Sequence, residues 1–523
     1  MALTDTRPDT GTAEAAAPTG EVGFPADLIG SGDHKVIGLV YVALALVLGV
    51  AGWVVTALYG IHRIGDGDFL SDAAAMNLAS AGRLGLVLIV AAPLTLGLAT
   101  YLVPLQVGAN TVAFPRAAAA SLWTWLLSAA LFIVAHALDG GLGGGRPEAV
   151  DMTLLAIAGM VLALVIGSVC VITTAVALRT PGMALDRVPF FTWASVITGS
   201  IWVLTLPVLV ANVALIYVDH RYGGPTEFGI EGGQWAQVSW LVGQPQVYAF
   251  AIPVLGIVAD VVTTLCGVRQ ANRGVVLGLI GAFGVLGIGA WAQPYFYPEA
   301  QDQALFAGMA GLILLVTLAY LGGLAATVRS GRPSATSPLG LAAVAGLLLL
   351  LATVAGLLYV ITPLELRETG VYADGLFALV VASVVAGGSA GIMYWAPKMT
   401  GRTPSDAYGK LNVLVLLVGG ALAGLPLIVL GFATRFDSLA DAADALWGIA
   451  VAGDIVLALG VVLTIVALFS TTRGASVGPD AWGSGQTLEW ACPSPPPAGN
   501  FGELAVVRSA EPLLDAAEPA EEA

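Results

Sequence analysis

Residues 372–402 read YADGLFALVVASVVAGGSAGIMYWAPKMTGR, and the reading of this stretch decides the fold. One charged side chain, Asp374, interrupts an otherwise uncharged run from Tyr372 to Ala396, and Pro397-Lys398-Met399-Thr400-Gly401-Arg402 closes it with two cations. About 20 consecutive apolar residues cross the hydrocarbon core of a bilayer as a helix. No water at that depth satisfies an open backbone, so a crossing of this composition has to be helical. The run reads as a membrane helix that stops at a polar interface.

Eleven further stretches of the same kind lie on either side, at approximately 36–59, 84–106, 117–140, 152–178, 190–217, 236–264, 273–295, 303–328, 337–361, 411–433 and 444–470. Composition agrees. Hydrophobic residues make up 57% and charged residues 11% of the chain, against roughly 25% charged in soluble domains. With twelve crossings, fourteen of the 20 Lys and Arg residues fall on one side, among them Lys35, Arg116, Arg269, Lys398 and Arg473. The other six are Arg63, Arg83, Arg146, Arg221, Arg367 and Arg435. Cationic loops stay in the cytoplasm, so both termini are expected there, in a multi-pass protein of the cell membrane.

The net charge of −15 excludes an electrostatic nucleic-acid surface. No basic-then-apolar leader opens the chain, so no cleaved signal peptide is expected. Residues 1–33 are expected to form a flexible acidic tail, 34–472 the twelve-helix domain, and 473–523 a second, partly disordered tail ending in EPLLDAAEPAEEA. Cys170, Cys266 and Cys492 show no paired spacing, which argues against disulfides and zinc.

Five segments carry a resemblance. They are Asp33-His34-Lys35-Val36-Ile37-Gly38 at the entry to the first helix; Tyr101-Leu102-Val103-Pro104-Leu105-Gln106 with Ala113-Phe114-Pro115-Arg116; Trp240, Gly243, Pro245, Val247 and Tyr248 in the sixth; the Pro397–Arg402 turn; and Leu488-Glu489-Trp490 with Ser494-Pro495-Pro496-Pro497 and Asn500-Phe501. In order and at matching helix positions, these resemble subunit I of the haem-copper respiratory oxidases, in its actinobacterial form. An unrelated twelve-helix transporter would explain the hydropathy but not these motifs together. The resemblance implies an all-α membrane fold of twelve helices in the arrangement of that subunit.

It also implies six histidines for two haems and a copper, since such iron and copper sites use imidazole ligands. The chain has four histidines in all. By the resemblance, the haem-ligand positions fall on Ala81, Gly375 and Phe377, and the copper-ligand positions on Gln244, Gln293 and Pro294. No histidine lies beyond His220, so no realignment supplies the later ligands. The proton-relaying positions are neutral as well: Gln246, Thr111 and Tyr320 stand there, and Thr317 remains. Tyr248 is retained at the position of a tyrosine that family members cross-link to a copper histidine; without that partner it is read as packed or hydrogen-bonded.

His34 belongs to the entry motif and is read as structural. His62, His136 and His220 fall near the outer ends of their helices and are read as interfacial polar residues, although three imidazoles on one side leave a metal or haem site open. Of the intramembrane acids, Asp260 is read as framework, and Asp374 as a partner for Gln244 or Gln293, with a proton or cation path as the alternative. Asp454 is left without a role. Arg435 sits roughly where the family clamps haem propionates. Emptied haem space would be costly, so the helices are expected to close in, or a lipid or quinone to fill the gap.

The preferred expectation is a catalytically degenerate paralogue with no haem or copper, acting as a structural, accessory or assembly component of a respiratory membrane complex. Its partners would be the lipid bilayer and subunit II- or III-like proteins. The alternatives are an active cytochrome c oxidase subunit I, and a channel or carrier that uses the vacated interior.

Overall fold

The computed structural model describes residues 30–517 apart from 66–68, 143–144, 224–232, 294–298, 300–303, 368–369, 503 and 505. Among these the chain is helical, and pairing between extended segments is limited to a bridge from Arg402 to Ser476. The twelve principal helices are α1 (His34–His62), α2 (Asp72–Gln106), α3 (Pro115–Ala137), α4 (Pro147–Ala177), α5 (Phe190–Tyr222), α6 (Ile252–Cys266), α7 (Arg273–Leu286), α8 (Ala304–Ser330), α9 (Ser337–Tyr359), α10 (Val371–Thr400), α11 (Asp406–Leu430) and α12 (Ala443–Phe469). Eleven of the described segments are long and apolar enough to cross a membrane; α6 is the short one. The protein is a multi-pass membrane protein.

Neighbours in sequence pack as neighbours in space, and α12 returns against α1 as well as α11. The most apolar stretches of α2 and α10 are wholly buried inside the bundle. Their sequences are apolar all round, as a fully surrounded helix requires. Small residues bring backbones together: a Cβ on Gly38 of α1 would lie 2.6 Å from the Gly97 carbonyl oxygen of α2, the close approach that membrane helices use for packing.

Three sequence expectations are corrected. The sixth crossing is not a continuous helix over 236–264. A short helix (Gly233–Val238) and two 3₁₀ turns (Ser239–Leu241 and Gln246–Phe250) precede α6. Pro245 has no N–H to donate and disfavours helix at Gln244, so the Gly243-Gln244-Pro245 step breaks the segment. Irregular backbone at membrane depth is tolerated where it is buried in protein, and Gln244 and Gln246 are both buried.

The second crossing begins at Asp72 rather than 84. The Ser71 hydroxyl caps it, accepting from the Ala74 N–H at 3.3 Å, and the helix continues through a widened π turn at Leu86–Ala91. Arg83 therefore lies inside a helix and not in an outer loop. The third correction concerns the C-terminal tail. Pro512–Ala517 is helical where disorder was expected, and residues from Gly32 onward form one compact unit that includes the described tail. Residues 1–29 and 518–523 lie outside the described residues, and with them most of the N-terminal segment and the last six residues of the C-terminal one.

The motifs converge at the end of the bundle where α1 begins and α12 ends. Gln106 of α2 donates to Asp260 of α6 (3.1 Å) and to Glu489 of the tail (3.0 Å), and accepts from Thr192 of α5 (2.7 Å). Asp260 also accepts from the first N–H groups of α5, Phe190 (2.9 Å) and Phe191 (3.0 Å), which have no intrahelical partner. Lys398 donates to the carbonyls of Pro479 (2.8 Å) and Cys492 (2.6 Å). His34 and Asn500 are within hydrogen-bond distance of each other, and Asn500 donates to the Ala109 carbonyl at 2.8 Å. The tail is bonded directly to the ends of three helices, α1, α2 and α10, by residues of the motifs themselves.

Candidate functional site

Two adjoining cavities lie among α1, α2, α10, α12 and the sixth crossing. The larger, about 180 Å³, is bounded by residues including Arg83, Trp240, Gln244, Asp374 and Phe377. The smaller, about 40 Å³, is bounded by residues including Trp53, Tyr59, Trp447 and Asp454. Arg83, Asp374 and Phe377 line both and form the partition between them. Arg83 Nη2 and Asp374 Oδ1 are paired, and the guanidinium lies over Trp235, 5.6 Å from the ring centre. Asp374 is thus partnered by Arg83, not by Gln244 or Gln293 as expected from sequence. The expectation failed because Arg83 was assigned to a loop; a helix starting at Ser71 turns it inward.

The glutamines take other partners. Gln244 Nε2 donates to the Gly356 carbonyl at 3.1 Å, while its Oε1 is buried with no partner. Gln246 donates to Thr205 Oγ1 (3.1 Å) and accepts from the Gly289 N–H (3.0 Å). Gln293 is buried and donates to Gln237 Oε1 at 3.4 Å. Tyr248 donates to the Ala352 carbonyl at 3.1 Å and fills the space that Gly356 leaves open. Tyr320 donates to the Leu255 carbonyl and Thr317 to that of Ile313. Thr111 lies in the connection between α2 and α3, half-buried.

Ala81 lies on α2 outside both linings, and Gly375 faces α11: a Cβ there would meet the Gly424 carbonyl oxygen at 2.6 Å. Phe377 projects between the cavities. Pro294 lies outside the described residues. Among the described residues, no three His, Cys, Asp or Glu side chains converge as a group able to hold a metal. The cavities offer an ion pair, one amide side chain, one lone carboxyl group, hydroxyls and aromatic rings. No imidazole or sulfur donor lines either cavity, so the donor set does not fit copper or the imidazole-ligated haems that the resemblance implies.

The remaining candidates are dispersed. His136 is within 3.3 Å of Ser80 Oγ and 2.9 Å of the Phe132 carbonyl, and His220 is 2.9 Å from Asp151. His62 is buried against α1's own surroundings with Nδ1 unpartnered. Arg435 pairs with Glu365 (3.4 Å) and donates to the Pro363 carbonyl, away from both cavities. Sequence reasoning missed Arg83 and its partner ring Trp235. The signal was present in Ser71 followed by the helix-forming run Asp72–Gly85, a capped start well before the apolar stretch.

Fold and interior together define a polytopic helical membrane protein whose two buried cavities sit between α1, α2, α10, α12 and the broken sixth crossing. The family model described as Cytochrome C and Quinol oxidase polypeptide I matches residues 36–463. The chain belongs to that family, as a cytochrome c oxidase subunit I-like membrane protein. Relatives include the "Heme-copper oxidase subunit I+III" of Aeropyrum pernix, 28% identical over 93% of this chain and 63% of that protein. The "Probable cytochrome c oxidase subunit 1-alpha" of Streptomyces avermitilis is 29% identical over 93% of this chain and 89% of the relative. The "Cytochrome c oxidase subunit 1" of Corynebacterium efficiens is 27% identical over 92% of this chain and 88% of the relative.

Proposed function

We propose that this chain is a catalytically degenerate member of its family, without haem or copper, that serves as a structural or assembly component of a respiratory membrane complex. One observation carries the reading: four histidines in all, none beyond His220, where the family chemistry requires six. The positions assigned to ligands hold Ala81, Gly375, Phe377, Gln244, Gln293 and Pro294. At Gly375 the Gly424 carbonyl leaves no room even for a Cβ. The interlocked end of the bundle, where Gln106, Asp260, Lys398 and Glu489 bind helix ends to the tail, supports a role as a docking framework. Its partners in this reading are subunit II- or III-like proteins, and both termini are cytoplasmic.

A second reading, a channel or carrier, is favoured by Gln244 and Asp374 lining the larger cavity. The deciding experiment for the first is a reduced-minus-oxidised spectrum of purified protein, with haem extraction and copper analysis on the same sample. A folded protein with neither group is the expected result; stoichiometric haem would overturn the proposal and restore the active oxidase. Cation flux into proteoliposomes tests the second.

A further inference from the structure

The smaller cavity contains a carboxyl group that no described residue pairs with. Asp454 is 6% exposed and lines the cavity, and no hydrogen bond or ion pair reaches it from any described residue. The other two charged groups of the lining, Arg83 and Asp374, neutralise each other. Asp454 lies eleven residues into α12, about 16 Å along the helix at 1.5 Å per residue, hence near mid-membrane. Gly60 of α1 abuts Trp447 and Val451 of α12, and Gly49 abuts Val461. That register sets Asp454 level with Trp53 and Thr56.

The lining supplies a second orphan and a set of aromatic faces. Trp53 Nε1 is buried without an acceptor. Tyr59 and Trp447 stand edge to face with ring centres 6.1 Å apart, one to two turns farther along the cavity. Arg63, outside the cavity lining, lies over the Trp447 ring at 5.5 Å. An intramembrane carboxylate without a partner is costly and marks a functional site. A proton or a bound cation relieves that cost.

The geometry points to the Trp53–Tyr59–Trp447–Asp454 cavity as a binding site for a small organic ammonium ion, with Asp454 as counter-ion and the rings as cation–π partners. Ammonium on aromatic faces is a well-matched pairing. Asp374 is engaged by Arg83, and the oxygens left, from Asp454, Thr56 and Tyr59, are too few for a hard metal ion that takes six or more. The volume, about 40 Å³, equals some three waters at roughly 10–15 Å³ each, which limits the ligand to the size of methylammonium. The site does not depend on the respiratory reading above, and a haem spectrum is silent about it.

The test is equilibrium dialysis of radiolabelled methylammonium against the full-length protein in detergent, at constant ionic strength in sodium. Saturable binding at one site per chain is expected, not displaced by further sodium. Asp454→Asn is expected to weaken it at least tenfold, and Trp447→Leu severalfold. If Asp454→Asn does not fold, Trp447→Leu and the loss of methylammonium's thermal stabilisation in that variant carry the test. No saturable binding to the unaltered protein, equal displacement by sodium, or unchanged affinity in the folded variants each overturns the proposal.

Discussion

Breaking the Arg83–Asp374 pair is the sharpest test of the interior. The two side chains are 27% and 14% exposed, and that exposure is to the cavities they separate. Removing one partner of a buried pair leaves an uncompensated charge and costs about 3–5 kcal/mol. The cavity beside them has room for water, about 180 Å³, which solvates the survivor and places the loss near the lower end, about 3 kcal/mol. Replacing both partners by apolar side chains of similar volume removes the charge altogether and is close to neutral. Arg83→Met and Asp374→Leu should therefore each destabilise strongly, while the double variant returns to within about 1 kcal/mol of the parent. Unfolding by SDS titration in mixed micelles, followed by circular dichroism, measures the cycle. The reasoning is refuted if Asp374→Leu alone is as stable as the parent, or if the double variant loses the sum of the two singles. An exposed pair would give a coupling of only about 0.2–1 kcal/mol.

Three other outcomes follow from the same coordinates. Gly375→Ala forces a Cβ to within 2.6 Å of the Gly424 carbonyl oxygen, and the overpacking should cost about 1–3 kcal/mol, measured by the same titration. Asp260→Ala strips the acceptor from the Phe190 and Phe191 N–H groups and from Gln106; about 3 kcal/mol is expected at about 1–3 kcal/mol per unmet buried group, and a loss below about 0.5 kcal/mol would contradict the network. Burial holds the Glu489 carboxyl above its ordinary value of 4.5, against opposing hydrogen bonds from Gln106, Thr487 and Trp395. The folded state therefore favours the protonated acid, so stability is full below 4.5 and declines as pH rises from there toward the raised value. Glu489→Gln should flatten that decline in pH-dependent melting curves. Asp260 and Lys398 stand close by and should be titrated alongside it.

The sequence made the class of fold legible because its cause is local. A run such as 372–396 has one charge in a membrane-length segment, and only a helix satisfies its backbone in lipid. Eleven of the described segments keep that character, and the family follows from motifs that keep their residue types and order. What composition could not supply was the break in the sixth crossing, where Gly243 and Pro245 act together inside an apolar stretch. Hydropathy alone scans over such a break.

The interior depended on rotation and register, which composition does not encode. Arg83 looked like a loop cation because the apolar window opens at 84; a serine cap twelve residues earlier turns it toward Asp374. The same holds for Gln106, Asp260, Lys398 and Glu489, each readable as a motif residue but separated by up to 383 positions from the group it binds. The sequence by itself determined that this chain spans a membrane many times, which family it belongs to, and that it has four histidines with none beyond His220, since these are matters of counting and order. Tertiary structure alone decided which buried charges meet: Asp374 is neutralised by Arg83, and Asp454 is left facing a cavity alone, because partner choice across helices is set by packing.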